Sequence, residues 1–297
     1  MKRAFIGVDI GGTKIAAHIS DGTAWSIEAT TIPTPPGAAP LLDAVVGLCR
    51  TLRESAAAQG IAIQAIGVGS AGQIDPLTGT VVDANDNIPG WKGAAIAGHV
   101  SDGLGLPVFV DNDVRVMALA ESGQGAGQDY RHLLCVTVGT GIGGAVVIDR
   151  RVWHGAHFVA GEIGYIYAEN GLTIEQCYAG PAIERRYAAE QGRPLSLRQI
   201  AACARDGDAT CRVAIEGAAH ELGLRLAPVL AVIDPQALIV GGGVPEIGDL
   251  WWRPFLAAIG TFPLRSIQDI PILPAQLGTR AGMIGAAILA AQRMADT

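Results

Sequence analysis

Two stretches of this chain share one grammar: an apolar strand, a turn made of Gly and Thr, and a second apolar strand. The first runs from Arg3 through Asp9-Ile10, turns at Gly11-Gly12-Thr13-Lys14 and continues from Ile15 to Ile19. The second runs from Leu133 to Val138, turns through Gly139-Thr140-Gly141-Ile142-Gly143-Gly144 and continues from Ala145 to Ile148. Apolar runs joined by a turn poor in side chains pair as β-hairpins. The same unit met once in each half of a chain points to a duplicated α/β architecture. The intervening residues supply the α layer. Residues 41–58 carry Leu41, Val45, Leu48 and Leu52 at helical spacing, with Arg50, Arg53 and Glu54 off the stripe. Strands are expected over residues 61–68, 108–110 and 237–240, and helices over 114–121, most of 178–232 and 281–295. Gly282 and Gly285 in the last helix read as close-packing positions. No low-complexity linker separates the halves, so the boundary is expected in structured chain near Asn112.

Composition narrows the functional classes. With 297 residues, 49% hydrophobic and 16% charged, the chain is long enough for two cores and too apolar for disorder. Its formal net charge is −7, and no Lys/Arg cluster is dense enough to follow a phosphate backbone, so nucleic acid is not an expected partner. Mean hydropathy is positive, yet no stretch of spanning length is free of charges and breakers, so no membrane association is expected. The first strand starts near Ala4, so no signal peptide is expected. The five scattered cysteines fit a reducing cytoplasm better than a disulfide framework.

Several short constellations can carry chemistry, and each also has a plain structural reading. Asp9-Ile-Gly-Gly-Thr-Lys14 is a turn whose bare backbone N–H groups, Thr13 hydroxyl and Lys14 ammonium suit phosphate; Gly-Gly is also simply a good hairpin turn. The second turn, at residues 139–144, doubles that signal, and Gly241-Gly242-Gly243 after a buried strand offers a further close approach for a base or ribose. Neither a Rossmann fingerprint nor a Walker loop is present. Asp111-Asn112-Asp113 lies where strand becomes helix: a carboxylate there can take a proton from a substrate hydroxyl, or the residues can serve as a helix cap. Gly161-Glu162-Ile-Gly164 sets a carboxylate between glycines, either as a ligand or as a surface turn.

Taken in order, these motifs resemble the ROK family (repressor, open reading frame, kinase) of the actin-like/hexokinase superfamily. The resemblance rests on Asp9-Ile-Gly-Gly-Thr-Lys14, Gly69-Ser-Ala-Gly72, Asn87-Ile-Pro-Gly-Trp91, Asp111-Asn-Asp113, Gly139-Thr-Gly-Ile-Gly-Gly144, Ala160-Gly-Glu-Ile-Gly164 and Val240-Gly-Gly-Gly243. It implies two actin-like (ribonuclease H-like) α/β domains flanking an interdomain cleft: residues 1–112 plus 282–297, and residues 113–281. It further implies ATP, Mg²⁺ and a sugar as ligands. Asp113 then serves as general base. Ser70, Ala71, Gly72, Asn87, Asn112, Asp113, Glu162, Tyr165 and Glu175 are the candidate sugar contacts. Gly11, Gly12, Thr13, Lys14, Gly139, Thr140, Gly141, Gly241, Gly242 and Gly243 are the candidate nucleotide contacts, and Asp9 would hold Mg²⁺ through water.

The chain also departs from the family pattern. Members typically follow Gly-Glu-Ile-Gly with His and a Cys-x-Cys-Gly-x-x-Gly-Cys-x-Glu loop that binds structural zinc. Here Tyr165 stands at the His position, and residues 166–174 form a shortened loop. Glu175 keeps register with the final Glu, because Gly180-Pro-Ala-Ile183 follows it. Its alternative reading is a carboxylate at a helix start. Cys177 has no cysteine nearby, so no zinc site is expected, and His154 and His157 read as ordinary loop histidines. Tyr165 either donates a hydroxyl to the sugar or fills space. The expected activity is ATP-dependent phosphorylation of the 6-hydroxyl of a hexose by a cytoplasmic homodimer. Glucose comes first; N-acetylmannosamine, N-acetylglucosamine or a β-glucoside are the alternatives. The family also contains repressors with a DNA-binding segment before the first strand. Only Met1, Lys2 and Arg3 stand there, so that role is not expected; a sugar-sensing regulator without catalysis is the non-enzymatic alternative, and the retention of Asp9, Asp113 and both Gly/Thr turns argues against it.

Overall fold

The computed structural model describes residues 2–21, 28–84 and 88–296. In chain order the elements are β1 (Lys2–Ile10), β2 (Lys14–Ser20), β3 (Glu28–Pro33), α1 (Ala38–Ala58), β4 (Ile61–Ser70), β5 (Gln73–Asp75), β6 (Thr80–Asp83), α2 (Ile96–Leu104), β7 (Val108–Asn112) and α3 (Asp113–Gln124). Then come β8 (Leu133–Val138), β9 (Ile142–Ile148), β10 (Arg151–Val152), β11 (Tyr167–Glu169), β12 (Leu172–Thr173), α4 (Ile174–Tyr178), α5 (Gly180–Gln191), α6 (Leu197–Arg205) and α7 (Ala209–Ile233). The chain closes with β13 (Ala237–Gly241), α8 (Asp249–Ile259), α9 (Arg265–Gln268), β14 (Ile272–Pro274) and α10 (Ala281–Ala295). Among the described residues no helix is long and apolar enough to cross a membrane.

The chain divides into two compact units: Met1–Asp129 with Arg150–Ala160 and Gln276–Thr297, and Tyr130–Asp149 with Gly161–Ala275. The expectation of a division at Asn112 differs from this, because α3 and the segment Arg150–Ala160 belong to the first unit. The physical reason is the packing of α3 on α10. A Cβ at Gly285 would overlap the backbone of Val116, so the bare glycine lets the two helix backbones meet.

In the first unit the sheet order is β3-β2-β1-β4-β7, the ribonuclease H-like arrangement expected from the motifs. β1 and β2 pair antiparallel across the Gly-rich turn, whereas β4 runs parallel to β1 and β7 parallel to β4. Register then decides where the chemistry lies. Asp9 pairs with Gly69 and Ile10 with Ser70, while Gly69 pairs with Asp111 and Ser70 with Asn112. Three motifs far apart in sequence thus end on one edge of the sheet, the carboxyl end of parallel strands, where α/β folds bind ligands. Alternate residues of β1 (Ala4, Ile6, Val8, Ile10) are buried, and α1 buries the stripe Leu41, Val45, Leu48 and Leu52 as its spacing predicts. α10 covers β1 and β4 closely: a side chain at Gly7 would overlap Met283, and one at Gly67 would overlap Ala286.

In the second unit β9-β8-β13-β14 are neighbours, with β8 and β9 antiparallel and β13 parallel to both β8 and β14. Thr137 pairs with Gly241, so the turns that follow, at residues 139–141 and 241–243, leave the sheet side by side. Residues 166–174, read from sequence as a loop, contain the hairpin β11–β12. Asn170 and Gly171 both have positive φ (51° and 76°), the geometry that an Asn-Gly hairpin turn requires.

Candidate active site

In the first unit the turn after β1 is held without use of its exposed side chains. The Gly11 N–H donates to the Lys14 carbonyl (3.0 Å), and Thr34 Oγ1 donates to the Gly11 carbonyl (2.7 Å). Gly12, Thr13 and Lys14 are exposed, and a Cβ at Gly12 would meet nothing within 4 Å. Protein packing therefore does not demand a glycine at position 12, which is consistent with space kept for something else. Asp9 precedes this turn. A Cβ at Gly282 would overlap its carboxylate, so the start of α10 lies directly against that group. The closeness of Gly282 was legible in sequence; its partner was not.

Asp113 is the first residue of α3 and is partly buried. The cap reading of Asn112 is realised: Asn112 Oδ1 accepts the N–H groups of Val114 (2.9 Å) and Arg115 (3.4 Å). Asn112 Nδ2 donates to the Gly72 carbonyl at 3.0 Å, which ties two motifs together. Asp113 Oδ1 accepts the Val114 N–H (2.9 Å). Burial pushes the Asp113 carboxyl above the usual carboxylate range. Asp9 is pushed up to about 6, first by burial and then by the negative charge of Asp113, against a smaller opposing effect of Lys14. A carboxylate oxygen such as that of Asp9 is a hard donor of the kind that Mg²⁺ and its water shell accept.

Behind this pair lies a buried cluster that the sequence reading missed. Asp111 is 0% exposed and Arg115 1%. Asp111 Oδ1 accepts Arg115 Nη1 (3.3 Å) and the Asn112 N–H (2.8 Å), and Asp111 Oδ2 lies 2.6 Å from His154 Nε2. Arg115 Nη2 donates to the Phe158 carbonyl (2.5 Å). His154 is therefore not an ordinary loop histidine, whereas His157 is exposed. Ser70, a candidate sugar contact, is fully buried: its hydroxyl donates to the Ala71 carbonyl (3.0 Å) and accepts from Trp91 Nε1 (3.2 Å). Ala71 and Gly72 are half-buried beside it, and Gly72 takes φ +102°. Asn87 lies outside the described residues.

In the second unit the Gly139 N–H donates to the Gly141 carbonyl (2.9 Å), and the Gly180 N–H donates to the Gly139 carbonyl (2.8 Å). Glu175 Oε2 accepts the Ile142 N–H at 2.8 Å. Thr140, Gly242 and Gly243 are exposed and Gly241 is half-buried. A Cβ at Gly242, where φ is +95°, would overlap the Val138 backbone. Glu162 immediately precedes a 3-10 turn, Ile163–Tyr165. Its flanking glycines are there for contact with β9: a Cβ at Gly161 would lie 2.9 Å from the Gly144 carbonyl oxygen, and one at Gly164 would overlap the Ile142 carbonyl. Glu162 is half-buried, whereas Tyr165 is 74% exposed, which removes the space-filling alternative for that ring. Glu175 is exposed at the start of α4, whose cap is made independently by Thr173 and Gln176. All five cysteines are free thiols, and Cys177 is buried. Among the described residues no group of three His, Cys, Asp or Glu side chains is placed to hold a metal ion. A lone thiol does not fit the tetrahedral zinc of the related loop.

The ROK family model matches residues 5–293 of this chain. The chain is 33% identical over 319 aligned positions to the glucokinase of Streptomyces coelicolor, covering 96% of each. The ROK hexokinase from Thermus thermophilus is similar in structure, with a TM-score of 0.90 and 32% identity over 99% of this chain and 100% of that one. A ROK glucokinase from Streptomyces griseus, solved with glucose and AMPPNP, gives a TM-score of 0.79 and 32% identity over 97% of this chain and 99% of that one.

Proposed function

Because the chain belongs to the ROK family and is an ATP-dependent sugar kinase of actin-like fold, we propose that it phosphorylates the 6-hydroxyl of a hexose, with glucose the preferred acceptor. The observation that carries the reading is Asp113 at the head of α3 beside Asp9, at the sheet edge that also bears the open turn Gly11–Thr13. The choice of glucose is supported by the similarity to glucokinases, one of them solved with glucose bound.

The chain's own groups divide the work. Asp113 accepts the proton of the sugar hydroxyl as it attacks. Its raised affinity for protons makes it a better base than a solvated carboxylate, provided it is ionised when sugar arrives. The Asn112 cap and the Val114 N–H hold it at the helix start. Glu162, Glu175, Asn112, the segment Ser70–Gly72, Asn87 and Tyr165 are assigned to the sugar. The turns Gly11–Lys14 and Gly139–Gly141 are assigned to phosphates, through N–H groups other than those of Gly11 and Gly139, which bond to the Lys14 and Gly141 carbonyls, and Gly241–Gly243 to the nucleoside. Asp9 would hold Mg²⁺ through water, and the ion would supply charge neutralisation on the transferring phosphoryl group. Catalysis of this kind is mostly positioning. We extend the reading to a cytoplasmic homodimer; light scattering at twice the chain mass supports the dimer, and a monomer mass removes it.

The test is a coupled assay with MgATP and glucose, mannose, N-acetylglucosamine, N-acetylmannosamine and a β-glucoside. The expected result is the highest kcat/KM for glucose, with the product phosphorylated at the 6-position by NMR. A higher value for an N-acylhexosamine would replace glucose as the acceptor.

A further inference from the structure

The hydrogen bond between Glu175 and the backbone of Ile142 joins two groups that the proposed function treats separately, a sugar carboxylate and a phosphate turn. Glu175 Oε2 accepts the Ile142 N–H at 2.8 Å, across 33 residues of chain. Ile142 is the residue at which the turn becomes β9. The carboxylate lies so close that a Cβ at Gly141 would come within 2.5 Å of Oε2. Gly141 thus lies directly against this carboxylate. The other arm of the same turn is held from the same region: the Gly139 carbonyl accepts the Gly180 N–H at 2.8 Å, from the first residue of α5. The turn is thus pinned at both ends by the segment that carries α4 and the start of α5.

These bonds decide what the remaining N–H groups can do. A glycine-rich turn has many backbone conformations of similar energy, and only some aim successive N–H groups at one anion. A turn with one end released spends less time in the competent arrangement, and apparent affinity falls by that fraction. A charged acceptor is suited to the task, because a bond from a backbone N–H to a carboxylate is stronger than one to a neutral oxygen. The Thr173–Gln176 capping box fixes the start of α4 without Glu175, so the helix does not need that carboxylate for its own cap.

We propose that Glu175 is a positioning residue for the nucleotide: its carboxylate braces the turn Gly139–Gly141 in the arrangement that receives phosphate, in addition to its assigned place at the sugar. The inference rests on the reading of that turn as a phosphate site. If it is right, loss of Glu175 weakens nucleotide binding in protein that holds no sugar, where a sugar ligand has nothing to contribute.

The experiment is calorimetric titration of the full chain with MgAMPPNP in the absence of sugar, for wild type, Glu175→Ala and Glu175→Gln, together with steady-state KM values for ATP and glucose. For Glu175→Ala the expected rise in nucleotide Kd is about fivefold or more, a size in keeping with one lost charge-assisted bond at an exposed site. The amide oxygen of Glu175→Gln still accepts the Ile142 N–H, so this variant should lie between wild type and Glu175→Ala. A melting temperature within about 2 °C of wild type is expected for both, since the group is exposed and outside the core. A nucleotide Kd within twofold of wild type for Glu175→Ala, with only the sugar KM raised, would overturn the brace and leave the kinase reading intact. If wild type itself neither binds the nucleotide nor phosphorylates a sugar, the reading of the turn falls and the brace falls with it.

Discussion

Asp113 and Asp9 face opposite demands. Asp113 needs to be a base, and its place as first residue of α3 gives it the favourable field of a helix N-terminus and the Val114 N–H, while burial works the other way. Asp113→Asn keeps the acceptor oxygen and the shape but removes the base. Its turnover should fall by ~10²–10⁴-fold with glucose affinity little changed, measured at saturating ATP. Turnover near wild type would move the base to another group. Asp9 titrates near 6 in the folded chain against an ordinary 3.8, so between these values the folded state holds a proton that the unfolded state has released. That contribution makes stability fall as pH rises through the window. His18, buried and lowered from 6.5 to about 4, acts in the other direction: stability is lost as pH falls from about 6.5 towards 4. In Asp9→Asn the first effect is lost while the second remains. Urea unfolding without Mg²⁺ should therefore show a steeper gain in stability from pH 4 to 6.5 than wild type, with a difference on the order of 1–3 kcal/mol at pH 7. An unchanged slope would mean that Asp9 does not titrate there.

Helix α10 shows what a glycine does inside an element. Gly282 makes room for the Asp9 carboxylate, and Gly285 for the Val116 backbone of α3. Gly47, in the middle of α1, is exposed and meets nothing within 4 Å. The same substitution should thus have opposite effects at two helical positions. Gly285→Ala should destabilise by about 1–3 kcal/mol, because rigid backbone has to move. Gly47→Ala should stabilise by about 0.5–1 kcal/mol through helix propensity alone. Chemical denaturation of both variants checks this; equal shifts would show that α3 and α10 separate without difficulty.

The whole chain passes between its two units at 129/130, 149/150, 160/161 and 275/276, and on the first unit's side each passage is tied to α3 or the residues just after it. Arg115 holds the Phe158 carbonyl. Arg150 donates to the carbonyls of Ser122 (3.0 Å) and Gln128 (2.6 Å). Glu121, fully buried, accepts the N–H groups of Ala126 (2.9 Å), Gln276 (3.0 Å) and Leu277 (2.9 Å). The helix that begins with the proposed base therefore also anchors the chain's crossings. Glu121→Ala leaves three backbone donors without their acceptor and should lower stability by more than about 3 kcal/mol. It should also expose residues 125–129 to limited proteolysis. A loss under about 1 kcal/mol would mean that water replaces the carboxylate freely.

Both hairpins with Gly/Thr turns, the α1 stripe, the strand that ends in Asp111-Asn112-Asp113 and the last helix were legible in sequence because each is written in neighbouring residues: a period, a turn dipeptide, a cap. Even the hairpin β11–β12 carried its signal in Asn170-Gly171, although the shortened loop around it drew the reading away. The family resemblance was legible for the same reason, since its motifs are local. Three features were not: the contact of Gly282 with Asp9, the cluster of Asp111, Arg115 and His154, and the bond from Ile142 to Glu175. Nor was the membership of α3 in the first unit, which depends on a bare Gly285 meeting Val116 across the fold. Each of these joins residues that only parallel strand register and helix packing bring together. A contact between distant residues leaves no period in the chain, so nothing local records which carboxylate a glycine makes room for or which amide a glutamate holds.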